Sequence, residues 1–333
     1  MAQTQSQAQT QTTRIKRRIT VEDYAHYQRN GFLIVRGLLS QEDVAKLLSL
    51  AEDIYEGRIL ADAESNVFPW MTDRQKQERL ASARLHMVHR KNGIAEWGLL
   101  HPGVLDVLEA LIGPDVLALQ SMLFFNPPGK GGQGWHQDAF YIQTQPDTLI
   151  GAWMALDRAD EQNGCLWVAP GSHCEPIYPP VAPRPHFKHI DERQIRDLFP
   201  AAHASVMDDE VNKLSQVAAK YGKPVPVVLE PGDVLFFHSR LLHRSYRNET
   251  KDRMRRSYVC HYCNGRSFVP WNHGEPYEGP SANHCHILAR GWSHLPFASP
   301  KFGTPVELSP PDGDGGGSVM VAMPDGGMGK MEM

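Results

Sequence analysis

The sequence predicts a mainly β fold, a sandwich or barrel, with helices before it and a helical insert within it. From Val116 onward, short apolar and often aromatic segments are separated by turns rich in Gly, Pro and Asn. Many short strands divided by such turns favour a sandwich or barrel over a parallel sheet. The predicted strands cover residues 116–125, 134–143, 149–156, 165–168, 225–229, 234–238 and 257–262.

Two capping-box sequences predict helices ahead of these strands. Residues 20–23 and 40–43 each begin with a hydroxyl side chain and place an acid at the third helical position. The first helix is expected to stop at Gly31, and the second carries apolar residues at helical spacing. A buried strand is predicted over 32–35 and a further helix over 104–112.

The chain ends and one internal stretch do not fit the pattern of a packed core. Residues 1–18 are rich in Gln, Thr and Ser, and the tail 311–333 is rich in Gly, so we expect both to be disordered. A single domain is expected over 19–310. Within it, residues 174–224 form an insert that is either a wall or lid over a substrate site or a surface loop. Its predicted helices cover residues 192–198 and 208–221.

Composition describes an ordinary globular protein and argues against two classes of partner. Hydrophobic residues make up 41% of the chain, and the net charge of −4 predicts no broad basic face for nucleic acid. No apolar run approaches the roughly 20 residues that span a membrane. The five cysteines have no framework spacing, so we interpret them as free thiols of a reducing compartment. The sequence therefore predicts a cytoplasmic monomer or homodimer.

A His and an Asp stand two residues apart in an aromatic-rich predicted strand. Because side chains alternate along a strand, His136 and Asp138 are expected to face one way and Gln137 the other. These are two of the three ligand types in a 2-His-1-carboxylate site, which holds Fe(II) and leaves positions open. A hydrogen-bonded strand pair is the alternative. His238 and His243 both qualify as a third ligand.

Further motifs occur in order along most of the chain. They are Trp135-His136-Gln137-Asp138, Asn163-Gly164-Cys165-Leu166, Pro170-Gly171-Ser172-His173, Pro231-Gly232-Asp233 and His243-Arg244-Ser245, with Asn248, Thr250, Arg255 and Arg256. Over about residues 20–265 the chain resembles the phytanoyl-CoA dioxygenase (PhyH-like) family of Fe(II)- and 2-oxoglutarate-dependent oxygenases. That resemblance implies a double-stranded β-helix, a jelly-roll or cupin-like barrel, with iron inside its mouth.

The resemblance also selects the third ligand. The Ser two residues after His243 and the Asn five residues after it match the family pattern. The implied catalytic and metal-binding residues are then His136, Asp138 and His243, and His238 becomes a core histidine or one behind the ligands. The implied cofactors are Fe(II), 2-oxoglutarate as cosubstrate, and O₂.

The cosubstrate needs a cation of its own. A planar guanidinium binds a carboxylate such as C5 of 2-oxoglutarate better than a lysine does, and Arg253, Arg255 and Arg256 are the candidates. The family spacing points to position 254, which is Met here, and one extra residue in the preceding loop transfers the role to Arg255. Alternation puts Arg255 and Arg256 on opposite faces, so they are not interchangeable. We favour Arg255, with surface charge as the alternative for all three.

Weaker matches complete the implied cosubstrate site. Gln120, Met122, Trp153 and Ser245 match family positions that contact 2-oxoglutarate. From the residues alone, Met122 and Trp153 fit a plain core equally well or better.

The pattern Cys260-His261-x-Cys263, with Cys285 and His286, suggests a zinc site, which we reject. Neighbouring residues 260 and 261 face opposite sides of a strand, and no paired knuckles accompany them.

The sequence thus predicts a dioxygenase that hydroxylates a C–H bond of a small organic substrate and converts 2-oxoglutarate to succinate. The carboxylate at Asp138 favours hydroxylation over halogenation, because halogenating relatives carry a small residue there. A non-enzymatic jelly-roll binding protein and a cupin-like metalloenzyme that does not use 2-oxoglutarate are the alternatives. The substrate, an acyl-CoA or another small molecule, is expected to enter between the insert and Phe140 and Tyr141.

Overall fold

A computed structural model describes residues 16–60, 67–82, 85–178, 203–271, 285–292, 301–302, 318–322 and 328–332. Its helices are α1 Val21–Asn30, α2 Gln41–Tyr55, α3 Asp73–Ser82, α4 Gly93–Leu99, α5 Pro102–Ile112 and α6 Leu214–Ala219. Its strands are β1 Phe32–Val35, β2 Leu85–His86, β3 Val116–Asn126, β4 Gln133–His136, β5 Ile150–Ala155, β6 Leu166–Val168, β7 Val225–Val227, β8 Val234–His238, β9 His243–Ser245, β10 Arg255–Asn264, β11 Ile287–Arg290, β12 Lys301–Phe302, β13 Ser318–Ala322 and β14 Met328–Glu332.

The first two helices begin where their capping sequences predict. The Thr20 hydroxyl accepts from the Asp23 amide at 3.1 Å, and the Asp23 carboxylate accepts from the Thr20 amide at 3.0 Å. Ser40 and Asp43 make the same reciprocal pair. Helix α1 ends at Gly31, whose φ of +79° lies in the left-handed region that favours glycine. These ends are therefore determined by a few neighbouring residues.

Two sheets form the predicted double-stranded β-helix. The larger has the order β1-β8-β5-β10-β3-β11-β12 with β2 beside β3, and the smaller has the order β4-β9-β6-β7. Of the predicted strands, those corresponding to β3, β5, β6, β7, β8 and β10 are present with ends shifted by at most two residues. The strand predicted over 134–143 is wrong beyond His136, because a 3₁₀ turn begins at Asp138.

The larger sheet has a different neighbour on each face. On one side, leucines of α2 and α5 pack with Tyr258 of β10 in a fully buried cluster. On the other side, Trp153 and Phe237 pack with Leu166 of the smaller sheet. Helices α2, α4 and α5 therefore cover one face of the larger sheet. The other face borders the space between the two sheets.

The insert is only partly within the described residues. Its helix α6 is shorter than the helix predicted over 208–221, and the helix predicted over 192–198 lies outside the described residues. Asn212, just before α6, donates to the carbonyls of Trp135 and Val206 at 2.9 and 3.0 Å, which stabilises turns where helix was predicted. The insert thereby attaches to β4.

The chain ends have short described segments. Lys16 forms an ion pair with Glu109 of α5, and the Arg17 amide donates to Asp106 at 2.7 Å, so the last residues of the predicted tail 1–18 contact the domain. Within 311–333, β13 pairs with β14. The predicted disorder of 1–15 and of most of 311–333 concerns residues outside those described. Among the helices that the structure describes, none combines the length and apolar character of a membrane span.

Candidate active site

Two histidines and an aspartate meet in the space between the sheets. Strands β4 and β9 pair antiparallel with His136 opposite His243, so the two ring centroids lie 4.1 Å apart. Oδ1 of Asp138 lies 3.8 Å from Nε2 of His136 and 3.7 Å from Nε2 of His243. All three ligand atoms lie within 4.8 Å of one another. The tertiary structure thus brings together the three residues that the sequence analysis put forward as metal ligands.

Asp138 reaches this point although it lies beyond the strand. Gln137 is still extended, with φ −125° and ψ 133°, so alternation continues for one residue past β4. The Gln137 side chain faces the opposite way and donates to the carbonyls of Pro176 and Arg240 at 3.1 and 2.9 Å. The predicted alternation is therefore correct, and only the predicted length of the strand is wrong.

Backbone carbonyls orient both imidazoles. Nδ1 of His136 lies 2.8 Å from the carbonyl oxygen of Gly134, and Nδ1 of His243 lies 3.0 Å from that of Leu241. A carbonyl only accepts, so each Nδ1 carries the hydrogen, and Nε2 is the atom that can bind a metal. Neutral imidazoles held through Nδ1 are the usual arrangement of histidine metal ligands. The donor set therefore fits a metal ion.

The carboxyl of Asp138 is ionised. Burial opposes its ionisation, but His243, His261 and His136 together hold its pKa well below the usual range. Its side chain is 14% exposed, toward the cavity described below. An anionic oxygen beside two imidazole nitrogens is a donor set that Fe(II) accepts.

The three candidate arginines have different surroundings. Arg253 lies 2.6 Å from the carboxylate of Asp160, and Arg256 lies 2.8 Å from that of Asp157. Arg255 is 7% exposed and lines the cavity that contains the metal ligands, whereas the other two do not line it. The alternation argument therefore separates Arg255 from Arg256 correctly.

The guanidinium of Arg255 is buried and incompletely paired. It donates to the hydroxyl of Ser257 at 3.2 Å and lies 5.4 Å from the ring centre of Trp153. Within the described chain, its Nε has no hydrogen-bond partner. Burial lowers the pKa of Arg255 to about 10, partly opposed by Cys165 and Asp157, so it stays charged at neutral pH. A buried cation without a full set of acceptors fits a carboxylate ligand.

One cavity of about 670 Å³ connects the metal ligands with Arg255. This volume is typical of small-molecule sites. All the weaker candidates for cosubstrate contact also line it, namely Gln120, Met122, Trp153 and Ser245. Gln120 is hydrogen-bonded to Nδ1 of His86 at 2.9 Å, which orients its amide at the cavity wall.

The insert contributes to the wall of this cavity. His203 and Ala204 line it beside Tyr141. The Ala204 amide donates to the Tyr141 hydroxyl at 2.9 Å, and Phe140 packs against Tyr141 with ring centroids 5.0 Å apart. The described end of the insert therefore forms part of the cavity wall. This position corresponds to one of its two expected roles, a wall or lid over a substrate site.

The structure also places His238 and the pair Cys260 and His261 relative to this cavity. His238 points away from the cavity, where its ring lies 5.5 Å from that of His173 and its Nδ1 accepts from the Arg240 amide at 3.1 Å. Cys260 packs in the helix-side core while His261 lines the cavity, so the two do face opposite ways. Over the described part of the chain, the only three-residue group suited to a metal is His136, Asp138 and His243.

His261 is the site residue that sequence reasoning missed. Its Nε2 lies 2.9 Å from Oδ2 of Asp138. The available signal was the period of two that runs from Arg255 through Ser257 and Val259 to His261. In the sequence, this histidine stands out only as part of the rejected zinc pattern.

Comparison with known proteins identifies the family. The family model for phytanoyl-CoA dioxygenase (PhyH) matches residues 27–257. The peroxisomal phytanoyl-CoA dioxygenase of Mus musculus is 28% identical over 255 residues, which cover 73% of this chain and 68% of that protein. A probable phytanoyl-CoA dioxygenase of Caenorhabditis elegans is 27% identical over 262 residues, covering 74% of this chain and 76% of that protein.

Solved structures share the fold. EctD from S. alaskensis, crystallised with 2-oxoglutarate and 5-hydroxyectoine, has a TM-score of 0.56 at 21% identity, covering 78% of this chain and 82% of its own. SnoN, described as a non-heme alpha ketoglutarate dependent epimerase from nogalamycin biosynthesis, has a TM-score of 0.55 at 18% identity, covering 78% and 93%. The fold and the family match agree, and this chain belongs to the phytanoyl-CoA dioxygenase family.

Proposed function

We propose that this protein is an Fe(II)- and 2-oxoglutarate-dependent dioxygenase that hydroxylates a C–H bond of a small organic substrate. One observation carries the proposal: a 2-His-1-carboxylate donor set and a buried, incompletely paired arginine line the same cavity. A cupin-like metalloenzyme that does not use 2-oxoglutarate has no need of Arg255. A binding protein has no need of either feature.

Each residue has a role in this proposal. His136, Asp138 and His243 hold the iron and leave coordination positions open. Arg255 binds the C5 carboxylate of 2-oxoglutarate, with the Ser245 hydroxyl beside it. Gln120, Met122 and Trp153 complete the cosubstrate wall. When bound, iron and 2-oxoglutarate activate O₂, and the balanced reaction converts R–H, 2-oxoglutarate and O₂ to R–OH, succinate and CO₂.

The protein itself supplies orientation and exclusion of water. Backbone carbonyls orient the rings of His136 and His243, so their Nε2 atoms are available to a metal without rearrangement. Trp153 lies over the guanidinium of Arg255 and limits the access of water to it. Both features reduce the cost of ordering the site when the cosubstrate binds.

Hydroxylation is the finer part of the proposal. The carboxylate of Asp138 supports it against halogenation, since that position is then not vacant for a halide. Structural neighbours include an epimerase and a carbocyclase, each described as alpha ketoglutarate dependent, so product analysis decides among these outcomes. An oxygen atom from O₂ is expected in the product of a hydroxylation, and its absence would contradict this part.

The place of action is also a proposal. The buried Cys165, Cys260 and Cys263 are free thiols, which supports the cytoplasmic location expected from the cysteine spacing. We propose that the substrate enters beside Tyr141 and the insert residues His203 and Ala204, all of which line the cavity.

Anaerobic titration of the apo protein with Fe(II) and then 2-oxoglutarate tests the proposal. We expect the weak visible charge-transfer band of a chelated 2-oxo acid. It should be lost in His136→Ala and weakened in Arg255→Ala. His101→Ala is a matched control, since His101 is a buried histidine outside the cavity.

Two results would contradict the proposal. Iron binding without the band favours the metalloenzyme that does not use 2-oxoglutarate. Failure to bind either component favours a binding protein with the same fold.

A further inference from the structure

His261 is a buried residue in direct contact with a proposed metal ligand. It is 5% exposed, lines the cavity and lies 2.9 Å through Nε2 from Oδ2 of Asp138. An ionised carboxylate only accepts, so Nε2 carries the hydrogen and donates it. Nδ1 of His261 has no hydrogen-bond partner in the residues described. The contact to Asp138 is thus the hydrogen bond that the structure records for this ring.

The two carboxylate oxygens of Asp138 have different partners. Oδ1 faces Nε2 of His136 and of His243, at 3.8 and 3.7 Å. Oδ2 faces His261. A carboxylate that accepts a hydrogen bond on one oxygen presents the other to a cation. The arrangement therefore distinguishes a metal-facing oxygen from a protein-bound oxygen.

Asp138 and His261 lie on different kinds of element. Asp138 starts a 3₁₀ turn after the end of β4, outside any strand. His261 lies on β10, which is paired on both sides, with Gln120 of β3 opposite on one side and Gly151 of β5 on the other. The hydrogen bond thus ties a residue on a turn to the centre of the larger sheet, 123 positions away in sequence.

We propose that His261 is a positioning residue that restrains Asp138 to bind the metal through Oδ1 alone. This inference rests on the proposed function. With one oxygen from Asp138 and two imidazoles, a six-coordinate ion keeps three positions, two for 2-oxoglutarate and one for O₂. With both oxygens bound, two positions are left, and these suffice for 2-oxoglutarate only.

Co(II) binding to the apo protein tests the inference without any turnover. The visible absorption of bound Co(II) depends on how many ligands it has. In His261→Leu we expect Co(II) affinity to fall by about 10- to 100-fold, the usual effect of losing a partner that orients a ligand. We also expect its spectrum to change. His261→Gln keeps an N–H donor at similar reach and should restore both.

His101→Leu is the matched control. His101 is also a buried histidine whose Nε2 contacts an aspartate, Asp43 at 3.3 Å, but it lies outside the cavity. The His101→Leu protein should bind Co(II) as the wild type does. Its thermal unfolding shows how much a His→Leu substitution at a buried site changes stability. If His261→Leu unfolds, His261→Phe, which also lacks an N–H donor but keeps a ring, replaces it in both measurements.

The outcomes separate this inference from the proposed function. Wild-type affinity and spectrum in His261→Leu would overturn the positioning role while leaving the metal site in place. So would a His261→Gln protein that folds but does not recover the wild-type spectrum. A wild-type protein that binds no Co(II), Fe(II) or Mn(II) would instead overturn the proposed function, and with it this inference.

Discussion

Both faces of strand β10 carry buried polar residues, but these residues have different hydrogen-bond partners. On the face toward the helices, Tyr258 and Tyr262 are fully buried, and their hydroxyls donate to the carbonyls of Ala95 and Leu99 at 2.5 and 2.7 Å. These bonds attach α4 to the sheet. Each buried polar hydrogen on this face is therefore used for stability.

On the cavity face, Arg255 and His261 each keep a buried nitrogen without a partner among the described residues. An unsatisfied buried polar atom costs about 1–3 kcal/mol. A fold retains this cost where the atom serves a ligand. Whether the buried polar atoms of this strand have hydrogen-bond partners therefore distinguishes its binding face from its packing face.

The largest expected effect comes from Arg255→Met. Removing one partner of a buried charged hydrogen bond costs about 2–5 kcal/mol, or roughly 30-fold to several thousand-fold in 2-oxoglutarate affinity. The apo protein should not lose stability, because an apolar group replaces a buried cation that has few partners. Calorimetric titration with 2-oxoglutarate and urea unfolding measure the two effects.

Arg256→Gln is the control from the opposite face. Arg256 pairs with Asp157 at 2.8 Å and is 19% exposed. Its loss should lower the unfolding free energy by about 1 kcal/mol and leave 2-oxoglutarate affinity unchanged. Equal effects of the two substitutions on 2-oxoglutarate would remove the distinction between the faces.

A smaller effect is expected from Tyr258→Phe on the packing face. The substitution leaves the Ala95 carbonyl buried without its donor, which costs about 1–3 kcal/mol. Urea unfolding should show this loss, and metal and 2-oxoglutarate binding should be unaffected. Tyr262→Phe repeats the test at the Leu99 carbonyl. Loss of ligand binding with unchanged stability would show that this face also belongs to the site.

The last prediction concerns the pH dependence of stability on the packing side. His89 is buried and hydrogen-bonded to Ser121, which lies opposite Cys260 of β10. Burial, with Arg90 and His286 adding to it, lowers the pKa of His89 to about 3. The unfolded chain therefore binds the proton more readily. The contribution of the neutral His89 side chain to the free energy of unfolding is therefore fully present above about pH 6.5. It is lost as the pH falls from about 6.5 toward 3.

The slope from this one group is at most about 1.4 kcal/mol per pH unit. His89→Gln keeps a hydrogen-bonding side chain but cannot titrate, so its unfolding free energy should fall less between pH 7 and pH 5. Urea unfolding at several pH values measures the difference. An unchanged slope would mean that His89 does not stay neutral in the folded protein.

Much of the fold follows from local sequence. The capping residues Thr20 and Ser40 define where α1 and α2 begin, and the turn signals define the ends of most strands. Several elements were missed, among them the short α4 and β9. Such short segments have little pattern of their own and are stabilised by contacts with distant residues, as α4 is through Tyr258 and Tyr262.

The sequence indicated which residues would face the candidate site. It did not indicate which other side chains these residues would contact. Period-two alternation separated Asp138 from Gln137 and Arg255 from Arg256, because it depends only on extended backbone. It could not show that Arg256 pairs with Asp157 whereas Arg255 lacks such a partner. That difference depends on which carboxylates the folded sheet places nearby.

The sequence by itself determined the helix caps, the alternation of the strands and the chemical identity of the proposed ligands, since these involve interactions over a few residues. The tertiary structure alone decided that His136 lies opposite His243 and that His261 donates to Asp138. These pairs join residues more than a hundred positions apart, so the pairing of whole strands decides their meeting. No local pattern encodes that pairing.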